Sequence, residues 1–142
     1  MLHLLRRLFA PPAITGSGPD GECRAAEWLQ RERRFTVVAR NWRNPRDRRE
    51  EIDLVCRDGE ALVFVEVKSR TDEALEPGYY AVDARKKRVL ESAARAYLAR
   101  LREKPRTFRF DVVEVTFPAG APGAPRILHF ENVKLFGKHF RG

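Results

Sequence analysis

The sequence predicts an α/β fold in which a mixed central sheet is flanked by helices, with elements in the order α-β-β-β-α-β-β. Three observations lead to this prediction. Segments rich in β-branched residues alternate with two segments whose apolar residues recur at helical spacing. The two most apolar segments, residues 51–56 and 61–68, are joined around Asp58-Gly59, which is typical of a tight β-hairpin. A hairpin followed by a helix and further strands implies a mixed sheet.

The amino-terminal segment differs in composition from the rest of the chain. Residues 1–19 contain three prolines and two glycines, which predicts a flexible extension ahead of a single domain over residues 20–142. Asp20 is the expected N-cap of a helix that begins near Glu22 and ends near residues 33–34.

The later elements are delimited by polar stretches and prolines. Residues 35–41 form a predicted strand, and the polar segment 44–49, which contains a proline, is a predicted loop. A long amphipathic helix is expected over residues 83–103, where Pro105 stops it. Residues 109–117 form a further predicted strand, and a final edge strand begins at residue 127.

Length and composition narrow the class of protein. A chain of 142 residues suits one domain, and its 43% hydrophobic content excludes a largely disordered chain. No segment approaches the about 20 apolar residues of a membrane span, and Arg6 and Arg7 interrupt the apolar start, which is untypical of a secretory signal. We therefore expect a cytoplasmic protein without a membrane partner.

Cysteine and histidine residues do not indicate a structural metal site. Two cysteines, Cys23 and Cys56, are too few for a disulfide framework or a zinc site. Three histidines lie far apart and show no ligand spacing. Zinc is therefore not expected.

The chain is strongly basic, with a net charge of +8 and a pI near 10.1. Arginines account for most of the excess and occur in clusters. Such an excess favours a polyanionic partner, because lysine and arginine neutralise phosphates and release counterions. Arginine-rich composition also follows from GC-rich coding or thermophily, so charge alone leaves nucleic-acid binding as one of two interpretations.

Carboxylates and a lysine recur on one side of the predicted hairpin. Alternate residues of a strand share a face, so Glu51 and Asp53 are expected to point opposite to Ile52 and Leu54. On the next strand Glu66 and Lys68 share a face with Phe64, whereas Val63, Val65 and Val67 point the other way.

The hairpin turn decides how these residues meet. A connection of two residues, Asp58-Gly59, or of four places Cys56 opposite Ala61, and Glu51 then lies opposite Glu66 with Asp53 on the diagonal. A three-residue turn would flip one strand and separate the set.

Three carboxylates beside one ammonium group are typical of a divalent-metal site. Mg²⁺ takes one or two carboxylates, keeps several waters and leaves positions for phosphate oxygens. Lys68 beside it would orient a water or stabilise charge on a phosphate, as metal-assisted hydrolysis requires. The alternative is a solvated face with cross-strand ion pairs.

The spacing of these residues resembles the PD-(D/E)xK nuclease signature, with Asp53, twelve intervening residues, and then Glu66-Val67-Lys68. The wider sequence is similar to the uncharacterised bacterial YraN family, related in fold to Holliday-junction resolvases. The segments that carry this likeness are residues 21–22, 40–43, 51–55, 63–70, 81–82 with Lys86, and 109–113. The resemblance covers roughly residues 20–135 and implies a restriction-endonuclease-like fold.

The resemblance also implies residue roles. It makes Asp53 and Glu66 ligands of Mg²⁺ or Mn²⁺, Lys68 the catalytic lysine and Glu22 an additional carboxylate in the site. Glu51 is a further candidate ligand. For Glu22 the alternative is a helix first-turn acid favoured by the dipole. The candidate nucleic-acid contacts are Arg40, Arg43, Arg48, Arg49, Arg70 and Lys86, although for Lys86 a solvated helix face is the alternative. The chain departs from the family at Glu50, where glycine is usual.

Two function hypotheses follow. The first is a metal-dependent nuclease that hydrolyses phosphodiester bonds of DNA, including branched or damaged structures. The second is a non-catalytic nucleic-acid-binding module, or a subunit completed by a partner chain, that uses the same fold. Likeness to resolvases, which must reach two strands, implies a homodimer.

Overall fold

The elements of the protein follow the predicted order. A computed structural model describes residues 17–71, 84–120 and 123–134; residues 1–16, most of the predicted extension, lie outside the described residues. The elements are α1 (Ser17–Glu32), β1 (Thr36–Asn44), β2 (Asp47–Asp58), β3 (Ala61–Thr71), α2 (Ala84–Ala99), β4 (Thr107–Phe117) and β5 (Arg126–Phe130). In the described part of the chain, no helix combines the length and apolar character that crossing a bilayer requires.

The five strands form one mixed sheet in the order β1-β2-β3-β4-β5. Neighbouring strands are antiparallel except for β3 and β4, which run parallel along their whole length. Helix α2 makes the crossover between these two strands, as parallel pairing requires. The predicted α/β fold class with a mixed sheet is therefore confirmed.

Each face of the sheet carries its own apolar core. Phe64 of β3 packs with Leu90 and Leu98 of α2, whereas Val63 and Val65 pack with α1. This confirms the predicted alternation along β3. The α1-side core contains Ala25, Ala26, Leu29, Phe35, Leu54, Cys56, Val63, Val65, Val67, Val113 and Val115.

Helix α1 begins earlier than predicted. It starts at Ser17, so Asp20 lies in its first turn and the predicted N-cap at Asp20 is wrong. Pro19 does not prevent this start, because nitrogens in the first turn have no intrahelical acceptor to lose. Gly18 and Pro19, two of the residues that indicated an extension, therefore lie in the first turn of a helix.

Helix α2 ends four residues before the predicted residue 103. After Ala99 the backbone tightens, with Arg100 and Leu101 donating to the carbonyls of Tyr97 and Leu98 at 3.1 and 3.2 Å. The ammonium of Lys104 also donates to the Leu98 carbonyl, at 2.6 Å. These bonds satisfy carbonyls that would otherwise lack partners at the helix end.

The predicted loop at residues 44–49 is wrong, because β1 and β2 are joined by a two-residue turn, Pro45-Arg46. Side chains support this turn. The side-chain oxygen of Asn44 accepts the Arg46 N–H at 3.1 Å, and the carboxylate of Asp47 accepts the Arg49 N–H at 3.2 Å. Asn and Asp side chains commonly bond to the backbone two residues on, and these two bonds stabilise the turn.

The β2–β3 register differs from the predicted one by two residues. Asp58 pairs with Ala61 and Cys56 with Val63, so the prediction of Cys56 opposite Ala61 is wrong. The turn is Gly59-Glu60, and Gly59 adopts a φ of 58°, which favours glycine. A shift of two residues keeps every side chain on its face, but it changes which residues are opposite.

Strand β2 changes face at Asp53. Ile52 packs in the α2-side core and Leu54 in the α1-side core, so the prediction that both point the same way is wrong. Trp42, the partner of Ile52 on β1, also packs on the α2 side, with its ring 5.3 Å from that of Tyr97. On β1, Asn41 precedes Trp42 with a φ of 49°, and this departure from extended backbone interrupts the alternation of side chains along β1.

Candidate metal centre

Asp53 lies where strands β2 and β3 separate. The ladder between them ends at the pair Leu54 and Val65. Beyond it, the Asp53 carboxylate accepts the backbone N–H of Val67 at 2.8 Å. Asp53 is 1% exposed, so this bond fixes its carboxylate inside the protein, beside the residue between Glu66 and Lys68.

Glu66 meets a lysine from helix α2. Both side chains are 1% exposed, and the Lys86 ammonium lies 3.4 Å from a Glu66 oxygen. Lys86 stands one turn before Leu90 on the buried stripe of α2, which directs it toward the sheet. The solvated-face alternatives for the carboxylate set and for Lys86 are therefore wrong, whereas the ion-pair alternative stands.

Lys68 lies among charges of both signs. Burial lowers its pKa below the ordinary lysine value; the cations of Arg70 and Lys86 lower it further, and Glu114 and Glu66 oppose them. Lys68 pairs in register with Glu114 of β4. Arg70 donates to Glu114 at 2.8 Å, and both are buried.

Glu114 was not predicted as a site residue. Its signal was an acid between Val113 and Val115 in a strand otherwise suited to burial. The strand pattern shows that such an acid is buried, but only the parallel pairing of β3 with β4 places it beside Lys68.

Glu51 is also buried, at 2% exposure, and its carboxylate lies 3.2 Å from the guanidinium of Arg43. Arg43 donates in addition to the Arg48 carbonyl at 3.0 Å. Arg43, proposed from sequence as a nucleic-acid contact, is thus held between β1 and β2.

Glu22 enters the interior from the first helix. It is 7% exposed and begins the stripe of α1 that continues through Ala25 and Leu29. Next to it, a Cβ added at Gly21 would overlap the side chain of Ser69 on β3. The absence of a side chain at Gly21 therefore lets α1 approach β3 and sets the depth of Glu22.

We expect Gly21→Ala to destabilise the protein by about 1–3 kcal/mol, because the added methyl group forces the helix away from Ser69. Chemical denaturation measures the effect. The double variant Gly21→Ala with Ser69→Gly removes the overlap and should recover most of the loss. A single variant as stable as wild type would contradict the close approach.

The charged residues collect at one end of the sheet, where the parallel strands β3 and β4 terminate. Ligands of α/β proteins commonly bind at this end. The buried charged cluster comprises Glu22, Glu51, Asp53, Glu66, Lys68, Arg70, Lys86 and Glu114. Five carboxylates thus accompany three buried cations, with a fourth, Arg43, paired to Glu51, and a divalent cation would compensate the remaining negative charge.

The donor set fits a hard divalent ion that keeps its water. Within residues 17–71, 84–120 and 123–134, no group of three or more His, Cys, Asp or Glu side chains is arranged to hold a metal by itself. Mg²⁺ needs no such group, since one or two carboxylates suffice and waters complete its shell. Asp53 and Glu66 provide oxygen ligands of the required kind.

Apart from Arg43, the predicted nucleic-acid contacts fall into two groups. Arg40, Arg48 and Arg49 are exposed, and Arg49 forms an ion pair with Asp47 at 2.9 Å. Arg70 and Lys86 are buried within the charged cluster, where they face carboxylates.

Comparisons with known proteins agree on one family. Residues 21–115 match the family described as "Uncharacterised protein family UPF0102". A UPF0102 protein of Anaeromyxobacter dehalogenans is 46% identical over 80% of this chain and 79% of its own. One from Geobacter metallireducens is 40% identical over 81% of this chain and 88% of its own, and one from Beutenbergia cavernae is 43% identical over 82% and 93%.

Proposed function

The chain belongs to the UPF0102 family, the family that the sequence resembled, and we propose that it is a metal-dependent nuclease that hydrolyses phosphodiester bonds of DNA. Branched or damaged DNA is the substrate class that the likeness to resolvases implies. The observation that carries this proposal is the burial of Asp53 and Glu66 on either side of the point where β2 and β3 separate, with Lys68 next to them.

Asp53 and Glu66 would hold Mg²⁺ or Mn²⁺. When bound, the ion supplies Lewis acidity and a water of lowered pKa. Asp53 is oriented for this role by the Val67 N–H, because that bond occupies one of its oxygens and fixes the other. Lys68 would donate to a phosphate oxygen and stabilise the charge that develops there. Glu22 and Glu51 would bind waters in the outer part of the site.

The experiment that tests the proposal is a cleavage assay with labelled single-stranded, duplex, flap and four-way-junction DNA. Mn²⁺, Mg²⁺ and EDTA are compared, and Asp53→Ala protein is purified in parallel. We expect cleavage that requires metal and that the variant lacks. Equal cleavage by the variant would identify a contaminating nuclease, and no cleavage of any substrate would refute the proposal.

The second candidate function is a nucleic-acid-binding module without catalysis. The pairs between Lys86 and Glu66 and between Arg70 and Glu114 favour it, because they compensate buried carboxylates without any metal. Such a module would bind nucleic acid in a salt-sensitive manner and would be indifferent to EDTA.

Lys86→Met separates the two candidates. The substitution keeps most of the volume but leaves Glu66 without the Lys86 charge, so we expect a loss of about 3–5 kcal/mol in stability without metal. If Glu66 binds metal, Mn²⁺ replaces that charge and raises the melting temperature more in the variant than in wild type. Calorimetry with and without Mn²⁺ measures this difference.

Lys87→Met, at the next and less buried lysine of α2, is the matched control and should behave like wild type. Equal responses of Lys86→Met and wild type to Mn²⁺ would favour the binding module.

A further inference from the structure

Exposed arginines occur on two elements that flank the buried charged cluster. Arg46 and Arg48 lie at the tip of the β1–β2 hairpin, and Arg88 and Arg95 lie on α2. Ser92, also exposed, stands between the two helix arginines at spacings of four and three residues, which place all three on one stripe. Arg88 and Arg95 are therefore about 10 Å apart along the helix axis, about the rise of three base pairs.

A single carboxylate joins these elements. One oxygen of Glu50 on β2 accepts the Ser92 hydroxyl at 2.9 Å, and the other accepts the side-chain amide of Asn44 at 3.0 Å. Asn44 ends β1, so Glu50 links the hairpin tip to the middle of α2. Arg48 is exposed and precedes Glu50 by two residues in β2, so the hairpin arginines lie close in the chain to this link. The four arginines Arg46, Arg48, Arg88 and Arg95 thus form one surface, the hairpin–helix surface.

We propose that the hairpin–helix surface binds the phosphate backbone of duplex nucleic acid and that Glu50 is the positioning residue that holds its two parts together. The proposal deepens the function proposed above and rests on it, because that function is what makes a duplex the expected ligand. Arg88 and the buried Lys86 are two residues apart and therefore point to opposite sides of α2, so a bound backbone would lie along the outer face of the helix whose inner face meets the charged cluster.

The exposed side chains favour a duplex over a single strand. Proteins that bind single strands without sequence preference stack the bases on aromatic side chains. Of the residues that the structure describes, the one exposed large hydrophobic side chain is Val38. Trp42, the tryptophan nearest the hairpin tip in sequence, packs edge-on against Tyr97 inside the fold. The hairpin–helix surface therefore offers arginines for phosphates and no aromatic side chain for stacking among the residues that the structure describes.

Binding of a short DNA duplex and of the corresponding single strand, measured in EDTA over a range of salt concentrations, tests the surface. Each arginine that contacts a phosphate is expected to contribute about one unit to the salt slope of duplex affinity. Arg46→Ala with Arg48→Ala, and Arg88→Ala with Arg95→Ala, should each lower the slope by about two units. The matched control, Arg24→Ala with Arg31→Ala, removes two exposed arginines of α1 and should leave it unchanged.

The sign of the effect at Glu50 distinguishes positioning from net charge. Glu50→Ala removes a negative charge, so charge alone would tighten binding, whereas loss of the link should weaken it severalfold. Ser92→Ala breaks the same link without a change of charge and should also weaken binding. Tighter binding by Glu50→Ala, an equal slope change in the α1 control, or preferred binding of the single strand would each overturn the proposal.

Because every binding measurement is made in EDTA, its outcome is independent of cleavage. Intact duplex binding without cleavage in Mn²⁺ would refute the nuclease and leave the surface standing. If the protein cleaves DNA in Mn²⁺ and the two arginine double variants bind duplex as well as wild type, the nuclease stands and the proposed surface is refuted.

Discussion

Asp53→Asn and Glu66→Gln are each expected to lower metal-dependent cleavage by more than about a hundredfold, because under the proposed function either would remove a charged ligand of the ion that would supply most of the chemistry. The amides keep the side-chain volume, and the oxygen of asparagine still accepts the Val67 N–H that Asp53 binds at 2.8 Å. The fold of Asp53→Asn should therefore persist while the site loses charge. Glu66→Gln also leaves the buried Lys86 ammonium without its charged partner, so we expect it to lose about 3–5 kcal/mol in stability as well, and its rate is measured where denaturation shows that it is folded. Initial rates in Mn²⁺ measure the effect.

A second readout separates metal binding from catalysis. An ion that binds only the folded protein raises the melting temperature as its concentration rises. Wild type should show this rise in Mn²⁺, and both variants should lose most of it. Glu60→Gln, in the exposed β2–β3 turn, is the matched control and should keep activity and response. Undiminished cleavage by either site variant would exclude its residue as a ligand.

Asp111→Asn is expected to cost about 3–5 kcal/mol of stability, since it removes one partner from a buried charged network. The Asp111 carboxylate is fully buried and accepts from Arg109 at 2.9 Å, from His129 at 2.8 Å and from the Asn132 N–H at 2.9 Å. These bonds hold β5 and the residues after it against β4. Urea denaturation measures the loss, and Asp47→Asn, at an ion pair of the exposed hairpin, should change stability little.

The same network predicts how stability depends on pH. Burial alone would raise the pKa of Asp111, but the hydrogen bonds from His129, Arg109 and Asn132 hold it below the ordinary carboxyl value of 3.8. A carboxyl whose pKa is lowered on folding stabilises the protein above its unfolded pKa, and this contribution is lost as pH falls through the folded value. The stability difference between wild type and Asp111→Asn should therefore shrink below about pH 4. A constant difference down to strongly acidic pH would contradict it.

Much of the fold follows from local patterns. Alternation along β3 is a property of any strand, so Phe64 and Glu66 were separated from Val63 and Val65 without knowledge of their neighbours. Helical spacing likewise identified both helices, while their ends were wrong at Ser17 and Ala99 because terminal turns depend on weak local bonds.

Only some members of the buried charged cluster could be predicted from the sequence. Asp53, Glu66 and Lys68 were found from their spacing, because a buried strand pair with carboxylates is unusual in sequence. Glu114 is not among the predicted site residues, and Lys86 and Arg70, which the sequence predicts as nucleic-acid contacts, face carboxylates inside the protein. Contacts between residues 20 or more positions apart depend on the crossover and on the parallel pairing, which no local pattern encodes.

The sequence by itself determined the order of elements, the apolar faces of β3 and the residue types available for a site, because these depend on periods of two and 3.6 residues along the chain. The tertiary structure decided the register of the β2–β3 hairpin, the change of face at Asp53 and the partners of each buried charge. The physical reason is that a shift of register by two residues leaves every side chain on the same face of its strand, so only packing across strands and helices selects among the registers.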